Sequence, residues 1–163
     1  MCLLLKKVKQ KHIFHIVITT GFGTGFSPFA PGTAGAALAT LMWYELAVWI
    51  PSFLLCATVL LILLFTVLGV LGANALEPAW GKDPSRIVVD EMVGVWIALL
   101  AVTPFNWYYM LLAFILFRLF DIFKPLGIRR MEKLKGGLGV MMDDILAGIY
   151  SCTLIWIAKW VIG

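Results

Sequence analysis

The sequence predicts an all-α membrane bundle, and three observations carry that prediction: composition, the order of apolar stretches, and the placement of charge. Of 163 residues, 62% are apolar and 13% charged, with mean hydropathy +0.98. Soluble domains run at roughly 45–50% apolar and about 25% charged. Five apolar stretches follow one another with short connections. The length suits one domain over residues 1–163, with no room for a second core.

The N-terminus is not a secretory signal, because apolar Cys2–Leu5 precedes the basic run Lys6–Lys11, the reverse of the usual order. A Gly/Pro-rich loop, Gly21–Thr33, comes next. Its glycines could shape a backbone N–H cradle for an anion, with Thr33 as N-cap of the first span, or the loop could simply be a tight lead-in. It lacks the GK[ST] of a nucleotide P-loop. The apolar stretches are Thr33–Ile50, Ser52–Leu76, Ile87–Thr103, Trp107–Phe123 and Leu138–Val161. Each approaches or exceeds the ~20 residues that cross about 30 Å of hydrocarbon. The second, with VLLILLFTVLGVLG, is the surest span. The first, third and fourth are shorter and carry charge, so they are tilted, packed inside or partly inserted. The expectation is four to five membrane-embedded helices.

The connections alternate in character. Pro51 and Thr103–Asn106 are short and uncharged, whereas Lys6–Lys11, Lys82–Arg86 and Lys124–Lys135 are basic. Threading five spans in order puts eleven of thirteen Lys and Arg on one face. That is the positive-inside pattern, and it makes this face cytoplasmic.

The same threading aligns the acids. Asp90-Glu91 in the third span, Asp121 in the fourth and Asp143-Asp144 in the fifth all lie near the basic end, roughly 5–9 Å deep at 1.5 Å per residue. They are five of the nine acids. Charge at membrane depth is costly unless paired, metal-bound or wet, so it marks function. Carboxylates from three helices suit one hard divalent cation, or two. Neighbours on a helix point about 100° apart, so one member of each pair is expected to ligate. Gly94 and Gly148 share a helix face with Glu91 and Asp144, and either let backbones approach there or are ordinary membrane-helix glycines.

Arg118, Asp121 and Lys124 recur every three residues, so Arg118–Asp121 and Asp121–Lys124 can pair. The same Arg and Lys suit a phosphate monoester or lipid headgroup. Glu45 has no visible partner. His12 and His15 read as interfacial side chains, and the cysteines show neither disulfide nor zinc spacing. With no histidine after residue 15, no Cys-x5-Arg, no Asp-x-Asp and no Gly-x-Ser-x-Gly, the chemistry left is metal-assisted, using carboxylates, an Arg and a Lys. A net charge of +4 without an aromatic-basic motif excludes nucleic-acid binding.

GFGTGFSPFAPGTAG (21–35), KDPSRIVVDEMVG (82–94), FRLFDIFKP (117–125) and GGLGVMMDDILAG (136–148) together resemble the phosphatidylglycerophosphatase A family. The resemblance implies an all-helical Mg²⁺-dependent enzyme of the bacterial inner membrane. It would remove the terminal phosphate of phosphatidylglycerol phosphate to give phosphatidylglycerol, with its site facing the cytoplasm. By motif, Asp90, Glu91, Asp121, Asp143 and Asp144 become the metal and catalytic set. Arg118 and Lys124 become phosphate contacts, joined by Lys82, Asp83 and Thr33. Ala36 stands where a serine is expected.

Two rivals come from other classes. A CDP-alcohol-type lipid phosphotransferase would also use Mg²⁺ carboxylates, but its Asp-x-x-x-Asp pattern is missing. A cation- or proton-coupled carrier would bind near mid-membrane and show internal repeats, and neither is visible.

Overall fold

The computed structural model describes residues 12–162; the basic run at 6–11 and Cys2 lie outside them. Among the described residues six α-helices run in the order α1 (Ile13–Thr19), α2 (Pro31–Trp49), α3 (Leu54–Trp80), α4 (Val89–Leu99), α5 (Trp107–Phe123) and α6 (Gly137–Ile162). Short 3₁₀ turns occupy Thr24–Phe26, Pro51–Phe53 and Ile128–Lys133. There is no strand among the described residues, so the all-α expectation holds.

Local chemistry sets the boundaries. Pro31 opens α2 at a position where its missing N–H costs nothing. Pro51 follows its last turn and stops it. Asn106 caps α5, its side-chain oxygen accepting from the Tyr109 N–H at 3.3 Å. At the other end Lys124 turns left-handed with φ +46°, and Pro125 prevents continuation. The free N–H of Gly137 at the start of α6 finds Asn74 Oδ1 on α3 at 2.7 Å. This polar cap accounts for an asparagine in the long apolar helix.

α3 and α6 are long and apolar enough to cross a membrane, their most apolar windows reaching a mean hydropathy of 2.9 and 1.8. α3 turns Leu55, Leu60, Leu63, Leu64, Val67 and Leu71 outward. Of the alternatives open for the Ile87–Thr103 stretch, the structure takes the packed-inside one. Its helix has only 11 residues, about 16 Å at 1.5 Å per residue, which is too short to cross. Every α4 side chain except Glu91 is buried, and α4 packs against α2, α3, α5 and α6. A helix apolar on all sides belongs at the centre of a bundle. Periodicity cannot separate that case from a lipid-facing span. α1 is also absent from the sequence reading, which passed over the apolar run at 13–18; it lies against α3.

Apolar burial drives little helix association in lipid, so close packing must hold the bundle. A Cβ at Gly94 would meet the Asp144 carbonyl oxygen at 2.7 Å, and one at Gly148 would strike the Gly94 carbonyl. The two glycines expected to permit close approach therefore bring α4 and α6 backbone to backbone. Trp96, fully buried, donates from Nε1 to the Ala39 carbonyl at 2.8 Å and ties α4 to α2.

The two ends of the bundle differ as the charge pattern requires. Lys82 Nζ donates to the Glu132 carbonyl at 3.3 Å, joining two basic loops at one end. At the other, Pro51 and Pro104 line a common hollow with Trp43 and Leu54. There Lys159 donates to the Ala101 carbonyl at 3.1 Å and to Thr103 Oγ1 at 2.8 Å, bracing the end of α4. Glu45 accepts from Trp49 Nε1 at 3.2 Å on the exposed side of α2, so it does not face the interior.

Candidate active site

The predicted acids meet where the first turn of α4, the last turn of α5 and the second turn of α6 converge. One oxygen each from Asp90, Glu91 and Asp144 lie within 4.8 Å of one another. Asp90 and Asp144 are buried. At Asp143-Asp144 only Asp144 joins the cluster, whereas at Asp90-Glu91 both members do. Asp90 Oδ1 also accepts the Glu91 N–H at 3.1 Å.

The cations divide between two networks. Arg118 Nη1 donates to Asp121 Oδ2 at 2.5 Å and stands 3.9 Å from Glu91 Oε1. The expected Asp121–Lys124 pair is replaced: Lys124 bonds Asp143 Oδ2 at 2.5 Å and Glu132 Oε1 at 2.8 Å. The left-handed turn at Lys124 takes its side chain off the α5 face and toward α6. Burial alone would lower the Lys124 ammonium, but hydrogen bonds to Asp143 and Glu132 outweigh it and raise it above its ordinary value. The same bond holds the Glu132 carboxyl below the usual carboxylate range. Sequence reasoning missed Glu132; its signal was being the lone acid in the basic stretch 124–135.

The Gly/Pro-rich loop reaches the site at one point. A Cβ on Gly32 would collide with Glu91 Oε1 and sit 3.1 Å from Arg118 Nη1, so only glycine lets the start of α2 come this close. Thr33 is the third residue of α2, and Ala30 takes the N-cap place assigned to Thr33. The backbone N–H groups of residues 21–27 all bond carbonyls between Val17 and Thr24, so this part of the loop offers no N–H cradle. Gly25 serves packing, since a Cβ there would strike the Arg86 carbonyl. Lys82 and Asp83 sit at the rim, lining a cleft of about 280 Å³ with Glu132, Gly139 and Val140.

Charge balance tests whether the residues present fit a cation. Five carboxylates converge, while Arg118 and Lys124 are the two cations that pair with them. Glu91 Oε2, Asp143 Oδ1 and Asp144 Oδ1 are buried without a hydrogen-bond partner. Uncompensated buried charge costs several kcal/mol per ion, so the cluster calls for added positive charge. Hard oxygens at this spacing fit a divalent cation such as Mg²⁺. Arg118 Nε is likewise buried and unbonded, a donor left over for an anion beside the cation.

Comparison with known proteins agrees with this chemistry. The family profile described as Phosphatidylglycerophosphatase A matches residues 17–159. A Haemophilus influenzae protein named Phosphatidylglycerophosphatase A is 39% identical, the match covering 96% of this chain and 94% of the relative. The Escherichia coli protein of that name is 34% identical over 96% of this chain and 91% of its own length. A Bacteroides thetaiotaomicron protein named Putative phosphatidylinositol-3-phosphatase is 60% identical over 96% of this chain and all of its own. No solved structure matches significantly. With the profile spanning nearly the whole chain and full-length relatives of the same name, this chain belongs to the phosphatidylglycerophosphatase A family and is a phosphatase.

Proposed function

We propose that this protein is a Mg²⁺-dependent lipid phosphatase that hydrolyses the terminal phosphomonoester of phosphatidylglycerol phosphate to phosphatidylglycerol and phosphate. It works at the cytoplasmic face of the bacterial inner membrane as a multi-pass protein. The observation that carries the reading is the cluster of Asp90, Glu91 and Asp144, with unbonded buried oxygens, set beside an Arg118 that has a donor to spare. Family membership leaves the phosphotransferase and carrier readings without support.

Asp90, Glu91 and Asp144 would hold the ion, and Asp121 and Asp143 complete the acidic set by fixing the two cations. A bound Mg²⁺ would supply Lewis-acid stabilisation of phosphoryl charge and a more acidic water. Arg118, held by Asp121, presents its fork to the non-bridging phosphoryl oxygens. Lys124, kept charged by Asp143 and Glu132, adds a fixed positive charge at the same end. An unbonded carboxylate oxygen would take the proton of the attacking water, and the leaving glycerol oxygen would gain a proton from solvent as the P–O ester bond breaks. Lys82, which lines the cleft beside Glu132, and Thr33, next to the Gly32 that meets Arg118, would contact the entering headgroup. A site under the basic loops meets a headgroup at the interface while its acyl chains stay in the bilayer, and those loops support the cytoplasmic orientation.

The name of the Bacteroides relative supports a second substrate, phosphatidylinositol 3-phosphate, which also carries a monoester on a lipid headgroup. The test is phosphate release by purified protein from both lipids, with and without Mg²⁺. Faster Mg²⁺-dependent turnover of phosphatidylglycerol phosphate is expected; faster turnover of the inositol lipid would reassign the substrate, and none on either would sink the proposal.

A further inference from the structure

A groove between α2 and α5 takes no part in the phosphate chemistry. It holds about 300 Å³ and is lined by Ala37, Thr40, Trp107, Met110, Leu111 and Phe114. The two helices run antiparallel and meet at the site end, where Gly32 abuts Arg118. On α2, Thr33, Ala37 and Thr40 fall at i, i+4 and i+7, one helix face. On α5, Arg118, Phe114, Leu111 and Trp107 repeat the same spacing in reverse. One stripe therefore leads from the phosphate-binding end into the groove. Its α2 side is small and its α5 side large, which leaves a slot between them.

The slot is apolar in effect, because Thr40 spends its hydroxyl on the Ala36 carbonyl at 2.9 Å. Beyond Thr40 the ring of Tyr44 packs edge-on against Phe105, centroids 6.1 Å apart, and joins α2 to the turn before α5 past the groove. From Arg118 to Trp107 the helix rises about 16 Å. That is roughly half of the ~30 Å hydrocarbon thickness, the depth of one leaflet. Ala37, Leu111 and Trp107 are exposed, so the slot opens sideways toward lipid.

We propose that this slot takes one acyl chain of the lipid whose phosphomonoester sits at the carboxylate cluster. The inference rests on the lipid-phosphatase reading and deepens it. Continuity with the site, apolar walls and one-leaflet length together select a hydrocarbon tail. A peptide backbone would find no hydrogen-bond partners there.

Ala37→Trp and Thr40→Leu each fill the slot. Phosphate release would be measured from dipalmitoyl and from dihexanoyl phosphatidylglycerol phosphate in mixed micelles. The long-to-short ratio of kcat/KM should fall at least about tenfold in both variants, as misfit in an apolar pocket does. Leu60→Trp, on the outward face of α3, should leave that ratio as in the unsubstituted protein. An unchanged ratio in both slot variants overturns the inference. Photocrosslinking reads the unsubstituted protein directly, using phosphatidylglycerol phosphate with a diazirine midway along one chain. Adducts concentrated in residues 107–114 support the slot, and adducts spread evenly over α3 overturn it. If the unsubstituted protein releases phosphate from neither lipid, the phosphatase reading fails by itself, and the crosslinks still decide the slot.

Discussion

Gly94→Ala tests whether the α4–α6 contact sets the geometry of the site. The added Cβ would lie 2.7 Å from the Asp144 carbonyl oxygen, where ordinary contact begins at 3.4 Å, and would overlap the Phe117 ring. The ring can turn aside. The carbonyl cannot, because it is α6 backbone, and Gly148 presses on the Gly94 carbonyl at the same contact. Relief needs the helices to part by about 0.7 Å. An extra methyl in a tight core costs about 1–3 kcal/mol. Better helix propensity returns at most about 1 kcal/mol, so the balance is destabilising. Glu91 sits one turn before Gly94, and Asp144 is the residue struck, so parting the helices opens the carboxylate cluster. A 1 Å misplacement can cost on the order of 10²-fold in rate. Thermal unfolding in detergent, phosphate release and Mg²⁺ titration read the effect. The expected outcome is a lower unfolding midpoint, kcat/KM reduced about 10–100-fold and a weaker Mg²⁺ response. A variant with the original stability and turnover would refute the idea that this contact positions the site.

Asp144→Asn and Glu91→Gln should each abolish phosphate release while the helical circular-dichroism spectrum persists; unchanged turnover in both would remove these carboxylates from the chemistry. Arg118→Lys keeps a charge but loses the fork, and kcat/KM should fall about 10²–10³-fold. A chelator should stop turnover and Mg²⁺ restore it. Mg²⁺ at about 100 times its Kd should also stabilise the fold by about 2.7 kcal/mol, a gain that Asp144→Asn should lose in the same melts. Glu132 has its carboxyl lowered in the fold, so its contribution is present above the unfolded value of about 4.3 and lost as pH falls through the folded one. Stability below about pH 4.3 should therefore fall less steeply in Glu132→Gln than in the unsubstituted protein, by a small amount because the side chain is exposed.

Much of this was legible in the chain itself. Composition and the five apolar stretches determined an all-helical, membrane-type protein. The basic loops and the shared depth of Asp90-Glu91, Asp121 and Asp143-Asp144 determined that acids from three helices would meet at one end. Both follow from the cost of placing charge in hydrocarbon, which leaves its mark on a linear sequence. The offset of Gly94 and Gly148 from the acids was readable too, but only packing separated a close backbone approach from an ordinary membrane-helix glycine.

Tertiary structure decided what depends on direction rather than position. Only packing made α4 a short central helix, because an apolar run looks the same facing lipid or neighbours. Only the left-handed turn at Lys124 sent that side chain to Asp143 and Glu132, leaving Asp121 to Arg118. The first half of the glycine-rich loop likewise turned its N–H groups onto its own carbonyls, and Gly25 packs against the Arg86 carbonyl. Residue spacing reports which face a side chain occupies, but its partner is set by how the helices cross.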